Sequence, residues 1–119
     1  MEKYYREIDG ERYVGVVISV GFGAGWSTWD GQDPCDKDFI DYLLKNGIIE
    51  EYDNGLIWSV DIAQSTVEAY YPDEKTRPYC GGACGLEIHW VKEGSLIRIT
   101  EYDGSESIEY LNEAGFFEV

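Results

Sequence analysis

The ten residues from Glu11 to Val20 read E-R-Y-V-G-V-V-I-S-V, and this run constrains the fold more than any other stretch. It is rich in β-branched side chains, which lose little on an extended backbone, and its apolar part is too continuous for an exposed sheet edge. It therefore reads as a central strand that ends at Gly21. Downstream, Leu86, Ile88 and Trp90 alternate with Glu87, His89 and Val91, the period of a half-buried strand. Glu93-Gly94 turns the chain, Ser95 to Tyr102 alternates again, and Asp103-Gly104 is a strong hairpin signal before Ser107 to Tyr110. The expectation is a three-stranded antiparallel meander at the C-terminal end.

Helical spacing is clearest after Asp36. Asp36 or Asp38 can cap a helix running to Asn46, with Phe39, Ile40, Leu43 and Leu44 on one face. Asn46-Gly47 is expected to stop it through a left-handed turn. The stretch Ser59 to Tyr71 is ambiguous: Val60, Ala63, Val67 and Tyr70 keep helical spacing, while Ile57 to Ile62 also suits a strand. The helix is the favoured reading, ended by Pro72, which cannot donate and biases the residue before it out of the helical region. Together these elements predict a single α+β domain over residues 1–119. It has an antiparallel sheet of about four to five strands, including the C-terminal meander, with two helices packed on one face.

Composition narrows the functional classes. Twenty-four Asp and Glu against nine Lys and Arg leave a formal charge of −15, yet 44% of residues are hydrophobic, enough for a packed core. So negative a field repels phosphate backbones, which disfavours direct nucleic-acid binding and favours basic partners. No apolar run is long enough for a membrane span, and Met1-Glu2-Lys3-Tyr4-Tyr5 lacks the order of a signal peptide. A cytoplasmic location is expected. The three cysteines, Cys35, Cys80 and Cys84, form an odd set and are expected to be reduced. With His89 they could supply four ligands to a tetrahedral zinc, but thiols in a glycine turn and a surface imidazole on a strand are the simpler reading, and no metal or cofactor is expected.

Catalytic patterns are weak. The sole histidine, His89, has no G-x-S-x-G nearby, and carboxylate pairs such as Glu50-Glu51, Asp36/Asp38 and Glu101/Asp103 are too common to be diagnostic. The expectation is a protein that is not an enzyme. Gly21, Gly23 and Gly25 form G-x-G-x-G, which is neither the dinucleotide fingerprint nor the Walker form. Phe22, Trp26 and Trp29 in the same segment could still stack on a base, with Arg77 or Arg98 meeting phosphate and the Glu101–Glu106 hairpin, through Asp103, closing the pocket. The competing reading packs these aromatics over the sheet as a lid on the core. Asp30, Asp33, Asp36, Asp38, Glu50, Glu51, Asp53, Glu101, Asp103, Glu106 and Glu109 are the candidate contributors to a functional anionic face, with Asp30, Asp36, Asp38, Glu50 and Glu51 foremost, though solubility alone also explains such a surface.

The motifs G-A-G-W-S-T-W at residues 23–29 and E-Y-D-G-S-E-S at 101–107, with Gly81-Gly82 leading to Leu86-Glu87-Ile88-His89-Trp90, resemble a family of small bacteriophage and mobile-element proteins. The resemblance spans roughly residues 13 to 117. His89 falls where that family suggests an acidic residue, and the three cysteines lie outside its pattern. What the resemblance implies is context: a non-enzymatic accessory protein that inhibits a host antiviral defence system by stoichiometric binding, as an acidic decoy of a basic nucleic-acid-binding surface. The alternative is a sponge that sequesters a nucleotide-like immune signal in the pocket of the Gly/Trp loop.

Overall fold

The computed structural model describes residues 2–110 and 116–119. The fold is α+β and its strands are antiparallel. In chain order the elements are β1 (Tyr5–Ile8), β2 (Glu11–Ser19), α1 (Ser27–Asp30), α2 (Lys37–Asn46), β3 (Ile48–Tyr52), β4 (Ile57–Asp61), α3 (Gln64–Ala69), β5 (Leu86–Lys92), β6 (Leu96–Tyr102), β7 (Ser105–Tyr110) and β8 (Phe117–Glu118). One sheet has the order β1-β2-β5-β4-β3 and the second has the order β7-β6-β8.

The expected central strand is β2, an interior strand between β1 and β5. Its residues Val14 to Ser19 are all buried because it is covered on both faces. Val17 packs with Leu86, Ile88 and Trp90 of β5 against Phe39, Ile40 and Leu43 of α2 and Val67 of α3. Val14 and Val16 lie on the opposite face with Val91, Ile97 and Val119, under the second sheet. The layers are therefore helices, five-stranded sheet and three-stranded sheet. Covering β2 twice is what its unbroken apolar run requires, since each fully buried Val or Ile contributes on the order of 1.5–3 kcal/mol. The two longer helices share one sheet face, as the sequence predicts.

α2 matches its expected bounds. Asp36 caps it, its Oδ1 accepting from the backbone N–H of Asp38 at 3.0 Å and of Phe39 at 3.3 Å. Its stop differs from expectation: Gly47 is extended at φ −97°, not left-handed. Close approach explains the glycine, because a Cβ there would sit 2.7 Å from Val60 Cγ1 and 2.9 Å from the Leu43 carbonyl. The segment favoured as a helix over Ser59 to Tyr71 divides instead. Its first part belongs to β4, where Trp58 and Val60 point to the helix layer, and only Gln64–Ala69 is helical. Period two prevails because Trp58 pairs with both Glu51 and Ile88, which fills the ladders on either side.

The expected meander is also corrected. β5 does not pair with β6, because both edges of β5 are taken by β2 and β4. After Lys92 the chain turns at Gly94, φ 91°, and leaves the sheet for the second layer, with Gly94 N–H donating to Val119 O at 2.6 Å. Three turns of Asp-Gly type organise the hairpins: Asp9-Gly10, Asp53-Asn54-Gly55 and Asp103-Gly104, all with positive φ. The first two announce β1 and the β3–β4 pair; sequence reasoning passed over β1 and β3 and held β4 only as the alternative to a helix.

Candidate functional site

The Gly/Trp loop, residues 21–31, is fastened to the domain by one buried side chain. Glu106 sits on the inward face of β7, beside Ile108 in the alternation, and is 2% exposed. Its Oε1 accepts from Ser19 N–H at 2.8 Å, and its Oε2 accepts from Trp26 N–H at 2.9 Å, Thr28 N–H at 3.0 Å and Thr28 Oγ1 at 2.5 Å. All four partners are donors, which suits a carboxylate that only accepts. Asp103 at the hairpin tip contributes its carbonyl, to which Gly23 N–H donates at 2.7 Å, and Ser105 Oγ donates to Val20 O at 2.9 Å. Gly104, φ 85°, packs so closely on Ala24 that no side chain fits.

This knot separates the loop's aromatics. Trp26 is 0% exposed and lies face to face with Phe39, centroids 5.0 Å apart. The expectation that Trp26 stacks on a ligand is therefore corrected: its ring fills the core, and its backbone N–H is the part that Glu106 uses. Phe22 and Trp29 point outward, 73% and 46% exposed. Trp29 stacks on Tyr79 at 6.3 Å, and its indole N–H donates to Glu101 Oε2 at 3.4 Å, the same oxygen that accepts Gly104 N–H. Asp30 accepts from the backbone N–H of Tyr79, tying that residue to the loop. Tyr79 went unnoticed in the sequence because it sits in irregular chain after Pro78. Glu106, expected on the anionic face, is corrected to a buried position; the signal for it was an acid at an inward position of a hairpin.

The remaining candidates are dispersed. Arg98 is bonded to Glu109 at 2.9 Å and lies over the Phe116 ring at 4.8 Å, beside a shallow cleft of about 430 Å³ shared with Thr28 and Phe117. Asp36 is spent on its helix cap, Asp38 is exposed in the first turn of α2, and Glu50 and Glu51 are exposed on β3, the edge strand. The five foremost anionic candidates, Asp30 included, thus occupy three separate elements. Cys80 belongs to the helix-side core and Cys35 to the core under the second sheet, so the central sheet divides them. Burial raises both thiols, Cys35 to about 11. Among the described residues no three metal-ligating side chains come together, and no helix is long and apolar enough to cross a membrane.

Comparison of the chain with protein-family models, with curated proteins and with solved structures found no match.

Proposed function

We propose that this chain is a non-enzymatic binding protein that occupies a basic, nucleic-acid-handling surface of a host defence protein in the bacterial cytoplasm. The observation that supports this most is the presentation of Phe22 and Trp29. Both rings are exposed on a loop that three hydrogen bonds to Glu106 hold in place, next to the carboxylates of Asp30 and Glu101. Aromatic anchors fixed before binding lose little entropy on docking, and indole faces attract arginine and lysine. The net charge of −15 adds steering toward a cationic partner. The defence setting comes from the resemblance to phage proteins.

Native mass spectrometry of the protein purified gently from a lysate containing defence systems tests this reading. The expected result is a stoichiometric complex with a basic nucleic-acid-handling protein, dissociating steeply as salt rises and lost in Trp29→Ala and Phe22→Ala. A complex with a flat salt response, or one indifferent to both substitutions, overturns it. A retained mass of a few hundred daltons, released on denaturation, would instead favour sequestration of a small molecule.

A further inference from the structure

A second opening lies where the three-stranded sheet leaves the five-stranded sheet uncovered. It holds about 390 Å³ and is floored by Ile18 and Ile57 with Ile108 opposite, and rimmed by Asp53, His89 and Tyr110. Phe22, Trp29 and Tyr79 do not line it, so it is distinct from the loop surface above. His89, the chain's only histidine, is on the face of β5 turned toward β7, and its Nε2 lies 2.8 Å from Glu87 Oε1. Because a carboxylate only accepts, Nε2 carries the proton, and in the neutral ring Nδ1 is left as an acceptor. Among the described residues no lysine or arginine lines the cleft, Asp53 makes no ion pair, and Glu87, which is not part of the lining, pairs only with His89. Glu106, which also reaches the wall, is buried and already accepts four hydrogen bonds.

From this lining we infer that the cleft binds an alkylguanidinium or alkylammonium group, its apolar stem on the isoleucine floor and its charged head against the Asp53 carboxylate and the free Nδ1 of His89. Unspent acceptors beside an apolar floor match a donor-rich cation on a short aliphatic stem, and the low-dielectric walls strengthen that attraction. The same chemistry can arrive as a free small cation or as the arginine side chain of a bound peptide.

The test is an NMR titration with n-butylguanidinium, following the His89 ring and the Ile57 and Ile108 methyl groups, with guanidinium chloride as the stemless control and an acetyl-Gly-Arg-Gly-amide peptide as the side-chain source. Saturable shifts at all three residues are expected, with guanidinium chloride at least about tenfold weaker. Asp53→Asn should weaken binding about tenfold while preserving the left-handed backbone at φ 49°, which asparagine also tolerates. Glu87→Gln, outside the lining, should weaken it less than Asp53→Asn, since the amide oxygen still accepts from His89. Binding by the peptide identifies a side-chain source, and binding by n-butylguanidinium alone identifies a free cation; either supports the site. Shifts spread over surface carboxylates, no saturation at His89, or unchanged affinity in Asp53→Asn overturns it. Because Phe22 and Trp29 are not involved, their alanine variants should bind the cation unchanged, so this inference and the protein-binding reading fail separately.

Discussion

One oxygen of Glu106 on β7 holds both the backbone N–H and the hydroxyl of Thr28 in α1, 78 residues away in sequence, at 3.0 and 2.5 Å. The other oxygen holds Ser19 at the end of β2. A single carboxylate thereby links the second sheet, the central strand and the Gly/Trp loop, and the orientation of the exposed rings depends on it.

Glu106→Gln keeps the volume but turns an amide N–H₂ toward groups that are themselves donors. A loss of about 2–4 kcal/mol is expected, with faster amide exchange at Trp26 and Thr28. Urea unfolding and hydrogen exchange measure both; an unchanged midpoint with unchanged protection would contradict the role assigned to this side chain.

The two tryptophans of the loop should behave oppositely. Trp26→Ala empties a site stacked on Phe39 and should cost about 3–5 kcal/mol. Trp29→Ala removes an exposed ring and should cost less than about 1 kcal/mol while weakening partner binding. Paired urea curves for the two variants check this, and equal losses would mean that the rings share one environment.

Gly104 combines a φ of 85° with backbone contact on Ala24. Gly104→Ala adds strain and a clash at once and should destabilise by at least about 1–3 kcal/mol. Thermal unfolding of the variant reads this directly.

Cys35 gives a pH dependence with a definite sign. Burial, reinforced by Asp33, raises its thiol from 9.0 to about 11, so the folded state holds this proton more tightly than the unfolded chain. Its contribution is complete below about pH 9 and is lost as pH rises through about 11, a decline of roughly 2–3 kcal/mol. Tyr70 and Tyr71, raised chiefly by burial, push in the same direction. Urea midpoints between pH 8 and 11 should therefore fall more steeply for the native sequence than for Cys35→Ala. In thiol labelling at pH 8, exposed Cys84 should react first and buried Cys35 and Cys80 only on opening.

Much of the layer plan was legible in local pattern. The unbroken apolar run of β2 demanded cover on both faces, the spacing of Phe39, Ile40 and Leu43 placed α2, and Asp103-Gly104 placed the β6–β7 turn. These depend on side-chain period and turn chemistry, properties of neighbouring residues. Strand pairing does not. That β5 has both edges occupied, and therefore cannot receive β6, follows from where β4 lies, and β4 itself is ambiguous until Trp58 meets Ile88 across the sheet.

The site divides the same way. Composition determined the acidity, and the G-A-G-W-S-T-W segment marked a shaped aromatic loop. Which ring is buried and which is exposed was decided by a carboxylate 80 residues away that binds the Trp26 backbone, and by Tyr79 stacking on Trp29 from another loop. The cleft around His89 likewise exists only because one sheet stops short of covering the other. Hydrophobic period is written in adjacent residues, whereas the pairing of a buried acid with distant backbone donors is settled only when the layers close.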